Sequence, residues 1–267
     1  MSDITIVTAF YDIGRGDWTP DKGLPHYLQR TTDTYFERFG HMAKLDNDMV
    51  VFTSPDLAPR VRELRGDRPT QIVEKEFSSL APNLRNDIMR VHLLEKYQRL
   101  INPREVKNPE YWNANYVLVN LLKASFITTA IQLFTLRTNL VAWLDFGYCR
   151  DESTLNGVTH WQYPFSEDKI HVFNIKDFVE GTYIDDIIAN NDVHITGPHI
   201  VAHKDLWPKL ETMVMAHTKQ LFENDLIDDD QTLLLMSTLS NPELFELHPV
   251  SKEDWFIIFK EYNESIS

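Results

Sequence analysis

The run Ile4-Thr5-Ile6-Val7-Thr8-Ala9-Phe10 ends abruptly in a loop holding Asp12, Gly14, Arg15, Gly16, Asp17 and Trp18. It is too short and too uniformly apolar for an amphipathic helix, so it predicts a buried strand of a parallel sheet. In open α/β sheets, ligands bind outside the carboxyl ends of the strands, which is where this loop falls. Gly14 and Gly16 permit positive φ and close backbone approach, and Arg15 offers a planar donor fork suited to phosphate. The spacing is not Gly-x-Gly-x-x-Gly, so a dinucleotide fingerprint is not supported. Taken alone, the residues also fit a surface loop with incidental charge.

Further along, strands and helices alternate through the first half, which favours α/β architecture. A helix is expected over Tyr27–Phe39, a buried strand over Asp48–Thr53, a short helix over Leu57–Leu64 and a strand over Thr70–Glu74. Helices over Arg85–Leu100 and Asn115–Leu136 then lead to a central strand, Leu140–Leu144. In the second half, short strands are expected at Val158–Tyr163, Ile170–Ile175 and Val193–Thr196. Helices follow at His203–Asn224, Asp228–Leu239 and Asp254–Tyr262. No internal repeat or linker interrupts the pattern.

Composition narrows the function. With 267 residues, 43% of them hydrophobic, the chain can bury a sizeable core. Its net charge of −14 argues against binding a phosphate backbone, since such affinity rests on many Lys and Arg contacts. The single Cys149 excludes an intrachain disulfide and favours a reducing compartment. The start carries no basic and apolar leader pattern, and no apolar stretch approaches the roughly 18 residues of a membrane span. A cytoplasmic location is expected, with at most peripheral contact at the inner face of the membrane.

The later run Leu140-Val141-Ala142-Trp143-Leu144-Asp145-Phe146-Gly147-Tyr148 is a strand ending in Trp-x-Asp-Phe-Gly. Together with Ile4 to Trp18, in that order, it resembles the two motifs of the HtrL/YibB (WlaTC/HtrL) family of glycosyltransferase-like bacterial proteins. The resemblance spans most of the chain. It implies a GT-A-like fold: a Rossmann-type, mostly parallel sheet flanked by helices in one domain over 1–267. Residues 1–150 would be the nucleotide-binding half and 151–267 the acceptor side. It also implies a glycosyltransferase moving a hexose from a UDP-sugar to a lipopolysaccharide- or capsule-type glycan, with galactofuranose the first donor to consider. The partners would be the UDP-sugar and a glycan or lipid-linked glycan acceptor, without nucleic acid. The rival reading is a non-catalytic binding or scaffolding protein on a degenerate GT-A fold.

Site residues follow from both sources. Thr8, Ala9, Phe10 and Arg15 are expected beside the nucleotide; Phe10 or Tyr11 can stack on uracil and Arg15 can reach a phosphate. Asn120 and Lys123 share a helix face, which the resemblance places alongside the nucleotide. Asp145 ends the central strand, where GT-A enzymes hold a divalent ion, Mn or Mg, on the diphosphate. The usual Asp-x-Asp is Asp145-Phe146-Gly147 here, so that metal pattern is incomplete; His248 is the candidate late ligand. Asp229 and Asp230, in Asp228-Asp229-Asp230-Gln231, are the candidate catalytic carboxylates facing the acceptor, where adjacent acids raise one another's pKa. The bland alternative is a helix N-cap. His199 and His203 could share a helix face as zinc ligands do, but no third ligand is evident, so a zinc hydrolase is not expected. Arg85 and Arg90 are candidate uracil or phosphate contacts. Arg60, Arg62, Arg65 and Arg68 read as a solvated face, or one turned to an anionic lipid-linked acceptor.

Overall fold

Strands β1 (Ile4–Phe10), β2 (Met49–Thr53), β3 (Thr70–Glu74), β4 (Leu140–Leu144), β5 (Ile170–Asn174), β6 (Ile195–His203) and β7 (Phe245–Pro249) form one sheet. The computed structural model describes residues 3–179 and 181–264. Strand order is β3-β2-β1-β4-β6-β5-β7. Only β6 runs against the other strands, pairing antiparallel with both β4 and β5. One mostly parallel sheet from Ile4 to Pro249 makes this a single α/β domain.

Helices cover both faces: α1 (Thr32–Met42), α2 (Ala58–Arg65), α3 (Pro82–His92), α4 (Glu95–Leu100), α5 (Ala114–Leu121), α6 (Lys123–Leu133), α7 (Ile184–Asn190), α8 (Trp207–Glu223), α9 (Asp230–Ser240) and α10 (Ile258–Glu261). The period-two alternation of β1 divides the core. Val7 and Ala9 pack into a cluster with α5, α6, α8 and α9. Ile4, Ile6 and Phe10 face a second cluster with α1, Trp161 and Phe259. Sheet burial on both sides is why these strands read as continuous apolar runs.

Several expected boundaries moved, each for a local reason. Tyr27 and Leu28 lie in a separate 3-10 turn, and α1 starts at Thr32, where the Thr31 hydroxyl accepts from Thr34 N at 3.1 Å. The helix over Arg85–Leu100 breaks at Leu94, with Gln98 Nε2 donating to the freed His92 carbonyl at 2.9 Å. The long helix over Asn115–Leu136 bends by 47° between α5 and α6. No strand forms at 158–163; one bridge, Asp3 to Gln162, stands there instead. Strand β6 runs through Gly197-Pro198 to His203, so His199 and His203 sit on a strand and not a helix. Strand β7 and helix α7 were not anticipated, and the last helix shrinks to one turn. No described helix is long and apolar enough to cross a membrane; α5 and α6 would pass only as a bent pair.

The basic run on α2 is also not a free face. Arg65 is buried and donates to the carbonyls of Ala43, Leu45, Asn47 and Pro69 and to Thr70 Oγ1. Burial pushes its guanidinium down to about 10. Arg60, Arg62 and Arg68 pair with Asp33, Glu74 and Asp46. Local acids therefore neutralise the stripe.

Candidate active site

A cleft opens at the carboxyl edge of β1 and β4, walled by the loop after β1, helices α5 and α6, the start of α9 and the Trp255-Phe256 segment. Of the residues expected there, Ala9, Phe10, Arg15, Asn120, Lys123, Asp145, Asp229 and Asp230 all line it. Thr8 does not: it is fully buried within β1, and its hydroxyl has no partner among the described residues. Arg85 and Arg90 lie elsewhere, bound to Asn115 and Asp225.

The apolar members serve as wall and not as a stacking platform. Phe10 is stacked on Phe146 at 4.9 Å, with Tyr35 and Phe36 around it. Tyr11 packs on Phe77 and Phe126. Neither ring is free for a base. Gly14 takes φ 81°, as the loop reading requires, whereas Gly16 does not. Arg15 is buried, and its fork is largely committed. Nε and Nη2 donate to the Leu28 carbonyl at 3.3 and 3.2 Å, and Nη1 donates to Tyr35 OH at 2.8 Å. Its guanidinium also lies 4.9 Å from the Trp18 ring. Arg15 thus pins the β1 loop to the turn before α1.

On the opposite wall, Lys123 is the organiser. The break between α5 and α6 puts it, buried, at the first position of α6. Its Nζ donates to Gly197 O at 2.8 Å and Asp230 Oδ2 at 2.8 Å, and stands 3.1 Å from Asp145 Oδ1. All three ammonium protons are used. Burial alone would push this ammonium down, but the carboxylates of Asp145 and Asp230 outweigh it and leave it raised. Asp145 Oδ1 also accepts from Trp143 Nε1 at 2.8 Å. Gly197 is required here, because a Cβ would overlap the Asp230 carboxylate.

The acidic run both caps and faces the cleft. Asp229 is the N-cap of α9, its side chain accepting from Gln231 N at 3.0 Å. Asp228 turns away and accepts from Asp229 N and Thr232 Oγ1. Burial, then the charges of Asp230, Asp228 and Glu110, raise the Asp229 carboxyl well above its ordinary value. Burial likewise raises Asp230, with Lys123 pulling it back and Asp145 pushing it up.

Sequence reasoning missed the cationic wall. Arg30 and Arg150 line the cleft, and Arg38 lies close behind them. Among the described residues none of the three has an acidic partner, and Arg38 Nη1 is buried without a hydrogen-bond acceptor. Burial, then mutual repulsion from Arg30 and Arg38, pushes Arg150 down to about 10. Arg150 lies just past the Trp-x-Asp-Phe-Gly motif, the one signal that could have found it. Arg30 and Arg38 flank and occupy α1, far from any motif.

The position of the missing second aspartate, Gly147, is tight. A Cβ at Gly147 would lie 3.1 Å from the Tyr35 ring, the same ring whose hydroxyl Arg15 holds. His248 is not brought to Asp145: it sits on β7, its ring against His171, Phe173 and Tyr262. Among the described residues, the cleft carboxylates form no group of three metal-ligand atoms. Asp145, already engaged by Lys123 and Trp143 and facing guanidinium groups, does not fit a divalent-ion site.

The chain is thus an α/β protein with a cleft at the carboxyl edge of a mostly parallel sheet, where such folds place their ligands, with arginines on one wall and the acidic start of α9 on the other. The chain belongs to the HtrL_YibB family, described as bacterial protein of unknown function, whose model matches residues 2–264. Protein HtrL of Escherichia coli (strain K12) is 39% identical over 262 residues, covering 97% of this chain and 92% of that protein. Among solved structures, mouse xyloside xylosyltransferase 1 aligns over 99% of this chain and 95% of its own, at 10% identity and TM-score 0.45. The galactosyltransferase LgtC, with donor and acceptor sugar analogues, aligns over 92% and 73% at 12% identity and TM-score 0.43. A nucleotidyl transferase from a Methanothermobacter aligns over 94% and 88% at 11% identity and TM-score 0.44. At such values the likeness extends only to the general α/β layout.

Proposed function

We propose that the chain is a sugar-nucleotide glycosyltransferase that moves a hexose from a UDP-sugar to a bacterial surface glycan of lipopolysaccharide or capsule type, with galactofuranose the first donor to test. The observation that carries this reading is the facing of two unlike walls across one carboxyl-edge cleft: Arg30 and Arg150 without acidic partners, and Asp229 at the start of α9. The arginines supply charge and planar donors for a diphosphate, so Ala9, Asn120 and the β1 loop would border the nucleotide. The acceptor hydroxyl would attack the anomeric carbon as the bond from that carbon to the β-phosphate oxygen breaks. Its proton passes to the Asp229 carboxylate, and the charge left on UDP is met by the arginines. Lys123 holds Asp145 and Asp230 in place and takes no proton. No step runs through a divalent ion.

Asp229→Asn tests the chemistry, since Asn still caps a helix. Turnover of a UDP-hexose panel should fall about 10²–10⁴-fold while UDP affinity changes little. In the parent protein the rate should rise with pH beyond the usual carboxylate range, because Asp229 must first lose its proton. Equal turnover in Asp229→Asn would remove Asp229 as the base. UDP binding without turnover of any donor would favour the binding-protein reading, to which the raised Asp229 carboxyl and the missing second aspartate also lend weight.

A further inference from the structure

We propose that His171, Glu246 and His248 form a binding site for one divalent transition-metal ion of the zinc type, tying edge strand β7 to β5. Parallel pairing sets His171 opposite Glu246 and Phe173 opposite His248. Residues two apart on a strand share a face, so Glu246 and His248 project to the same side. His171 Nδ1 lies 2.9 Å from His248 Nε2 and 3.5 Å from Glu246 Oε2, and His248 Nε2 lies 4.0 Å from Glu246 Oε1. Tetrahedral zinc with bonds of about 2.0–2.2 Å holds its ligand atoms roughly 3.3 Å apart. The imidazole nitrogens are slightly closer than that value and the carboxylate slightly farther, its two oxygens each nearest a different histidine, so a turn of the half-exposed Glu246 side chain by about 0.7 Å or more would close the site.

The protonation pattern fits ligation. His171 Nε2 is 2.9 Å from the Ser166 carbonyl, which can only accept, so Nε2 carries the hydrogen and Nδ1 presents its lone pair to the cluster. Metal-bound imidazoles are oriented by such a bond from their other nitrogen. Without an ion, His248 Nε2–H donates to His171 Nδ1. Binding needs only that hydrogen to move to His248 Nδ1, with no net proton released. Phe165, Phe173 and Tyr262 hold the imidazoles in place. Glu246 is 45% exposed, so a water can complete the coordination. Two imidazoles and one carboxylate select zinc-type ions over Mg or Ca, which favour all-oxygen sites.

Equilibrium dialysis of metal-stripped protein against Zn²⁺, with metal content measured, tests this directly. The parent chain should take up one ion and melt at a higher temperature with Zn²⁺. His248→Gln and Glu246→Gln, both at partly exposed positions, should bind more than tenfold more weakly and lose the thermal shift. His203→Gln, beside Glu167 and Asp205, should behave like the parent. Absence of saturable uptake, or uptake unchanged in both His248→Gln and Glu246→Gln, would overturn the site and leave a histidine–histidine hydrogen bond. UDP binding is measured separately and does not bear on this outcome.

Discussion

The two walls of the cleft carry opposite charge and handle it differently. On the acidic wall, Lys123 bridges Asp145 and Asp230 as their shared counter-ion, and α9 engages Asp229 as its cap. On the cationic wall, Arg15 is spent on Leu28 and Tyr35, while Arg30, Arg38 and Arg150 have no acidic partner among the described residues. One wall carries a counter-ion of its own and the other carries none among the described residues. In a chain of net charge −14, anions are repelled at long range, so an open cationic patch at the carboxyl edge must act locally. Charged groups left unpaired at a cost in repulsion mark a place where a ligand supplies the missing charge.

Breaking the acidic wall should produce the largest effect. Lys123→Met leaves two carboxylates near one another without their shared cation, and removing one partner of a buried pair costs about 3–5 kcal/mol. Urea unfolding should show that loss. A change under about 1 kcal/mol would mean that water, not Lys123, satisfies Asp145 and Asp230.

The next effect tests the cationic wall's committed member. Arg15→Ala removes three donors from the Leu28 carbonyl and Tyr35 hydroxyl, so stability should drop by about 1–3 kcal/mol. Unfolding curves would show it. An unchanged midpoint would mean the β1 loop is held by other contacts, returning Arg15 to the role of a free phosphate ligand.

The smallest effect is a pH dependence behind the acidic wall. Burial, then Asp228, raises Glu110 to about 8. Because the folded chain holds this proton more tightly than the unfolded one, the stabilisation is complete below the ordinary value of 4.5 and is lost as pH rises through about 8. Burial depresses His199 to about 3 and His248 to about 4, so they act in the opposite sense at lower pH. Burial also raises Asp228 to about 6 and Asp229 well above its ordinary value, in the same sense as Glu110, so only the comparison with Glu110→Gln separates its share. Melting temperature should fall by a few degrees above neutrality in the parent and less in Glu110→Gln. Parallel curves would contradict the assignment.

The same contrast separates what the sequence made legible from what it hid. Strands β1, β2 and β4 stood out because burial on both faces makes each a nearly unbroken apolar run. Strand β3 is less buried but still bounded by polar turns. β7, with Glu246, Leu247 and His248 partly exposed, carries no such run and went unseen. Asp229 and Asp230 were legible because three acids before an apolar helix have one simple structural use, a cap. Asn120 and Lys123 both reach the cleft, but from α5 and α6 on either side of the break and not from one helix face, and the role of Lys123 depends on Gly197 and Asp230, far away in sequence. Arg30, Arg38 and Arg150 were illegible because only the tertiary fold shows that acids are missing around them. His248 was assigned to Asp145 through a motif whose second aspartate this chain lacks, and a neighbouring strand claims it instead.

In the proposed function the arginine wall holds a diphosphate without a divalent ion. Calorimetric titration of UDP into the parent chain and into Arg150→Ala, each with and without chelator, measures this directly. Binding in the parent should survive chelation, and Arg150→Ala should weaken it by about 1.5–3 kcal/mol, the range for a hydrogen bond to a charged group. UDP binding that disappears with chelator, or that is equally tight in Arg150→Ala, would contradict the account.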